Sequence, residues 1–220
     1  MTDKIASIYS RQVLDSRGNP TIYSIVKTSY GNIGYSCVPS GASTGSKEAL
    51  ELRDNDPENF NGKGVLNAIK NIDNEISPQL IGANINDVEK IDNKMIEIDG
   101  TEFKSRLGAN SILSVSMACT RACASSNNLE LFELIRKIYG LNLEGYRLPN
   151  PMFNVLNGGS HAFNSTDFQE YMVVPVGVEN FETSISAGFE IYNKLKILLE
   201  SKNYPTTIGD EGGFAPPGLT

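Results

Sequence analysis

Residues 4–38 read KIASIYSRQVLDSRGNPTIYSIVKTSYGNIGYSCV, and this stretch decides the first half of the fold. Three runs rich in β-branched and aromatic residues, 4–14, 21–29 and 33–38, are separated by the turn signals Arg17-Gly18-Asn19-Pro20 and Tyr30-Gly31-Asn32. Connections this short predict an antiparallel meander, because a parallel pair needs a crossover of a dozen or more residues. Alternation is clearest in the second run, where Ile22 and Ser24 face opposite to Tyr23 and Ile25.

After Pro39 the period changes. Val65, Ile69, Ile72 and Ile76 predict an amphipathic helix over 63–77, with Pro78 helping to end it. Asn86 with Glu89 resembles a capping box opening a helix that carries Val88, Ile91 and Met95. Residues 109–125 are small and apolar on most faces, as expected of a helix buried among others. A further helix, 129–139, stops at Gly140. The Gly-, Asn- and charge-rich segment 140–150 marks a boundary, placing domains at 1–145 and 146–220. Beyond it come an apolar strand (152–156), a polar loop, a second strand (171–175), a helix (181–201), a short strand (206–208) and a Gly-rich turn. That order predicts α/β architecture. Roughly 70 residues remain after the boundary, whereas closing a parallel barrel takes about 250.

Composition removes several functions. Lys plus Arg is 19 against 26 Asp plus Glu, a net charge of −7, and such a surface repels nucleic-acid phosphates and anionic lipid heads. No stretch approaches the ~18 apolar residues of a membrane span. One histidine, His161, cannot build a site needing two or three imidazoles. Three cysteines (Cys37, Cys119 and Cys123), without a CxxC pair, read as reduced, buried thiols of an intracellular protein. Neither Gly41-Ala-Ser-Thr-Gly45-Ser-Lys47 nor Gly62-Lys-Gly64 has the spacing of a nucleotide-phosphate loop.

Three constellations carry chemistry. Pro39-Ser-Gly-Ala-Ser-Thr-Gly45 is a run of small residues whose bland reading is a surface loop. Its functional reading is a mobile lid whose Ser43 or Thr44 oxygens reach a metal or an anion. Asn157-Gly-Gly-Ser-His161 leads to Asp167-Phe-Gln169-Glu170, where a carboxylate abutting an apolar strand is partly desolvated and suited to hold a proton. Gly209-Asp-Glu-Gly-Gly213 places Glu211 at another strand end. In a barrel, strand C-termini carry catalytic groups, so Glu170 and Glu211 are expected to converge. A close carboxyl pair keeps one acid protonated near neutral pH.

These segments resemble enolase. The matching motifs are Val13-Leu-Asp-Ser-Arg-Gly-Asn-Pro-Thr21, Val38-Pro-Ser-Gly-Ala-Ser-Thr-Gly45 with Glu48–Asp54, Leu107-Gly-Ala-Asn110, Asn157-Gly-Gly-Ser-His-Ala162, Asp167-Phe-Gln-Glu170 and Gly209-Asp-Glu-Gly-Gly-Phe-Ala-Pro216. The resemblance covers nearly the whole chain and about the N-terminal half of an enolase. It implies an α+β N-terminal domain, a three-stranded antiparallel meander with helices, followed by the start of an incomplete α/β (TIM-like) barrel. It further implies reversible dehydration of 2-phosphoglycerate to phosphoenolpyruvate with Mg²⁺, in a cytoplasmic enzyme that is a homodimer or higher oligomer at full length, with surface or secreted forms as an alternative the resemblance leaves open.

By position, Glu211 matches the general acid, Glu170 the carboxylate supporting it, and Gln169 a neighbour lining the pocket. His161 matches the substrate-contacting histidine of a closing loop, and Ser43 the lid residue that binds a second Mg²⁺. The first-Mg²⁺ carboxylates, the lysine base and the phosphate-gripping groups belong to later barrel strands, so the chain by itself is expected to be inactive and poorly stable. Tyr23 stands where the family carries a glutamate that pairs with the partner subunit, Ser165 where an asparagine is common, and Pro217 also replaces an asparagine. Two competing readings are another Mg-dependent acid-sugar dehydratase of the superfamily and a non-catalytic binding or surface module.

Overall fold

The computed structural model describes residues 2–41, 44–142, 144–209 and 211–219. Two compact units divide the chain, 1–142 and 143–220.

In the first unit β1 (Ile5–Leu14), β2 (Pro20–Thr28) and β3 (Ile33–Cys37) form an antiparallel sheet in the order β1-β2-β3. Register runs from Leu14 opposite Pro20 to Ile5 opposite Thr28, with an irregularity between Ile5 and Ser7. The predicted alternation in β2 holds: Ile22, Ser24 and Val26 are buried, while Tyr23 and Ile25 are half-buried on the opposite face. On that outer face the Arg11 guanidinium lies 5.1 Å from the centroid of the Tyr23 ring, a cation–π contact within one sheet.

Helices cover the inner face. They are α1 (Leu66–Asn71), α2 (Ser77–Leu80), α3 (Val88–Asp99), α4 (Ala109–Ser126) and α5 (Leu131–Ile138). Ile22, Val26, Val115, Ala118, Cys119 and Ala122 belong to one buried cluster with Ile72, Ile76 and Met95. The small residues of α4 have a purpose in this packing. A Cβ on Gly34 of β3 would sit 2.1 Å from the Ala118 carbonyl oxygen and 2.2 Å from the Ala122 nitrogen. Sheet and helix backbones therefore touch, which only glycine opposite alanine allows. Buried hydroxyls cross the same interface in a chain: Ser10 Oγ bonds Ser24 Oγ at 2.7 Å, Ser24 bonds Ser114, and Ser36 Oγ donates to the Ser114 carbonyl at 2.6 Å.

Several local expectations are corrected. The predicted helix over 63–77 does not stop before Pro78. Its path runs on to Leu80, with a π-helical stretch, Ile72–Ile76, between α1 and α2. A proline ring clashes with the carbonyl one turn back, and the widened register ahead of Pro78 relieves that conflict. Asn86 is not a cap. α3 has Asp87 at its N-cap position without a side-chain cap bond, while Asn86 Oδ1 accepts from Asn127 Nδ2 at 2.6 Å. A capping box exists instead at α5, where Glu130 and Glu133 satisfy each other's backbone donors. Of the cysteines, Cys119 and Cys123 are buried, with burial pushing both thiols up, but Cys37 is exposed.

The second unit contains β4 (Phe153–Asn157), β5 (Glu170–Val173) and α6 (Phe181–Ser201). β4 and β5 pair antiparallel, Asn157 opposite Glu170, so the unit opens with an antiparallel pair rather than the parallel order of an ordinary barrel. The expected strand at 206–208 is only an isolated bridge from Ile208 to Phe214, because its hydrogen bonds go to the returning 213–215 limb. Phe214 also bridges Leu156 in parallel. No closed barrel is present among the described residues, and no helix is long and apolar enough to cross a membrane.

Two stability outcomes follow from the first unit. Gly34→Ala forces sheet and α4 apart and lowers unfolding free energy by about 3 kcal/mol in denaturant titration. Asp3 is buried, which by itself raises its pKa. Hydrogen bonds from Ser126, Asn32 and the Tyr30 N–H outweigh that and hold it well below the usual carboxylate range. With the folded pKa depressed, the contribution is complete above the ordinary carboxylate pKa and fades as pH falls toward the folded one. Asp3→Asn is expected to cost roughly 1–2 kcal/mol at pH 7, with the gap to the parent chain shrinking below about pH 4 in melting curves.

Candidate active site

The site lies in the second unit, and glycines determine its shape. Gly158 ends β4, and a Cβ there would meet the Phe168 carbonyl at 2.2 Å and that of Thr166 at 2.5 Å. The loop folds back tightly for that reason. Gly158 N–H donates to Gln169 O at 2.9 Å and Gly159 N–H to Thr166 O at 2.8 Å. A 3₁₀ turn, Gly159–His161, then presents the imidazole beside the start of β5.

Glu211 arrives from the opposite side. Asn157 N–H donates to Phe214 O at 2.8 Å, and Phe214 N–H to Val155 O at 3.0 Å, tying the 209–213 turn to β4. Gly209 N–H closes that turn onto Gly213 O at 2.9 Å. Gly213 is pressed against β4, since a Cβ there would lie 2.4 Å from Asn157 Oδ1. From α6, Tyr192 stacks on the buried Phe214 ring with centroids 4.5 Å apart and donates its hydroxyl to Gly212 O at 2.9 Å. Tyr192 and Phe214 thus clamp the acidic turn, a role hidden in a sequence where each reads as an ordinary core aromatic.

His161, Gln169, Glu170 and Glu211 come together. His161 Nδ1 lies 3.4 Å from Glu211 Oε2, and Gln169 Nε2 lies 2.8 Å from His161 Nε2. With the amide donating to Nε2, the ring carries its proton on Nδ1, facing the carboxyl. One ligand-type atom from each of His161, Glu170 and Glu211 lies within 4.8 Å of the others. The pKa of Glu170 is raised, chiefly by the hydrogen bond it shares with Glu211, then by burial and by the Glu211 charge, with His161 opposing. Desolvation at the strand end, the cause anticipated from sequence, is therefore secondary to the neighbouring carboxyl. Ser43, the expected metal-binding lid residue, lies outside the described residues; Thr44 is exposed.

Mg²⁺ takes hard oxygen ligands in near-octahedral array. One imidazole and two close carboxyls are a mixed nitrogen and oxygen set rather than that all-oxygen array. Beneath the turn, the side-chain amides of Asn154 and Asn157 are buried without a hydrogen-bond partner among the described residues. Buried amides rarely stay unpaired.

Comparison with known proteins agrees with this architecture. The family model "Enolase, N-terminal domain" matches residues 5–135, and "Enolase, C-terminal TIM barrel domain" matches residues 145–219. The enolase of Mycoplasma genitalium is 48% identical over 217 residues, which cover 98% of this chain and 47% of that protein. The chain thus spans about half the length of the relative it matches. With both family models in order and a similarity running through the glycine-framed acidic cluster, the chain belongs to the enolase family.

Proposed function

We propose that these residues form the acidic half of an active site that interconverts 2-phosphoglycerate and phosphoenolpyruvate by reversible loss of water, as a cytoplasmic enzyme of glycolysis and gluconeogenesis. The observation that carries this reading is the close pair Glu170–Glu211 beside His161, an oxygen of each lying within 4.8 Å of the other. Expelling hydroxide requires a proton donor at neutral pH. Two carboxyls in contact cannot both ionise freely, so one stays protonated. Glu211, at the more exposed edge, donates to the departing hydroxyl, and Glu170 shares the proton and takes up the charge left behind. His161 contacts the substrate, oriented by Gln169.

The family's base is a lysine, and the four residues gathered here, His161, Gln169, Glu170 and Glu211, do not include one. Mg²⁺, the family's cofactor, would be held by oxygens elsewhere, Ser43 among them, and stabilise the charge on the substrate carboxylate. The unpaired amides of Asn154 and Asn157 support the view that further polar groups complete the site. The domains divide near residue 145, and the enzyme acts as a homodimer in which Tyr23, already stacked against Arg11, takes no part in an intersubunit salt bridge.

The test is an assay of phosphoenolpyruvate formation. In a chimera in which this chain replaces the matching residues of the Mycoplasma genitalium enolase, Glu211→Gln is expected to lower kcat by about 10²–10⁴-fold with KM little changed. The 220-residue chain alone is expected to show no turnover. Undiminished kcat in the variant, or substantial turnover by the isolated chain, contradicts the proposal.

A further inference from the structure

A single hydroxyl on α6 holds the peptide next to Glu211. Phe214 is fixed to β4 through its own N–H and carbonyl, and only Gly212 and Gly213 lie between that anchor and Glu211. Gly212 sits at φ +85°, a conformation that suits glycine. A peptide with no Cβ on either side of it rotates at little cost. Within the turn, Gly212 N–H donates to Gly209 O at 3.0 Å and Gly209 N–H to Gly213 O at 2.9 Å. Those bonds close the turn on itself and leave its tilt toward His161 open.

Tyr192 supplies a bond from outside the turn. Its hydroxyl donates at 2.9 Å to Gly212 O, the carbonyl of the peptide that joins the two glycines. The donor stands near the middle of α6, a helix of 21 residues capped by Asn180, and so on a rigid element rather than a loop. Ring and hydroxyl have separable tasks. Packing on the buried Phe214 uses only the ring, stacked at 4.5 Å, and a phenylalanine would fill that place equally well. The hydroxyl serves the Gly212 carbonyl. Across the turn, Glu211 Oε2 lies 3.4 Å from His161 Nδ1, a contact that a small tilt of the turn would break.

We propose that Tyr192 is a positioning residue for the reaction: its hydroxyl, by fixing the Gly212–Gly213 peptide, holds the Glu211 carboxyl beside His161 and Glu170. This rests on the reading of Glu211 as the proton donor and extends it to a residue that touches neither substrate nor proton. Displacing a reacting group by roughly 1 Å costs on the order of 10²-fold in rate. Substrate contacts made by other residues are left in place, so the loss falls on kcat rather than KM.

Tyr192→Phe is the test, since it deletes the hydroxyl and keeps the stack. In the 220-residue chain, hydrogen exchange at the Gly209 and Gly212 amides is expected to be slow, and to quicken at least about tenfold in Tyr192→Phe while the amides of β1, β2 and β3 keep their rates. In the chimera with the Mycoplasma genitalium enolase, Tyr192→Phe should lower kcat by about 10–10²-fold with KM little changed. In the Glu211→Gln background it should add less than about twofold, because no acid is left to position. A role confined to packing would act equally in both backgrounds. Fast exchange in the unmodified chain, unchanged exchange in Tyr192→Phe, an undiminished kcat, or an equal loss in both backgrounds would each overturn the proposal. If Glu211→Gln itself leaves kcat intact, the acid assignment fails, and amide exchange alone then decides whether Tyr192 holds the turn.

Discussion

Two carboxyl groups with oxygens held within 4.8 Å of each other are an unfavourable arrangement that the second unit is built to enforce. Glu170 stands at the first position of β5 and Glu211 in a turn tied to β4. Nothing in their own chemistry draws them together; left free, they would separate. Glycines at 158 and 213 let backbone and side chains approach where any Cβ would collide, and the Tyr192–Phe214 stack fixes the turn from behind. A proton shared between the two carboxyls would relieve the repulsion, and the proposed proton transfer rests on that sharing.

The two units solve different packing problems with the same device. In the first, Gly34 meets the small face of α4, so sheet and helix backbones touch and a ladder of serine hydroxyls crosses the contact. The result is a dense core around Ile22, Val26 and Val115. In the second, close approach creates a polar cluster in which the buried amides of Asn154 and Asn157 have no hydrogen-bond partner among the described residues. A structural core satisfies its polar groups internally; a reactive site leaves some for its ligands.

Much of this was legible in sequence for identifiable reasons. The meander followed from turn residues and β2 alternation, because Gly31-Asn32 and Gly18-Asn19 act locally on the backbone. α6 was legible over its full length from its apolar spacing, and in the structure the Asn180 side chain caps it by accepting from the Thr183 N–H. The continuation past Pro78 was not, because a proline's effect depends on whether the preceding turn can widen. Asn86 misled because its side chain prefers Asn127, a tertiary partner. Convergence of Glu170 and Glu211 was anticipated through the rule that strand ends carry function and through the family resemblance, not through any local signal. Tyr192 and Phe214 gave no signal, since their contact exists only after folding. The exposure of Cys37 was missed for a simpler reason: at the end of β3 its side chain falls on the outer face.

The shared proton is the claim on which the functional account rests, and a carbon-13 NMR titration of the glutamate side-chain carboxyls reads it directly. The account predicts that Glu170 titrates above the ordinary glutamate range in the parent chain and moves back toward it in Glu211→Gln, where the substituted amide no longer competes for negative charge. A Glu170 that titrates at its ordinary position in the parent, or does not move when Glu211 is replaced, would show that the two groups do not hold a proton between them.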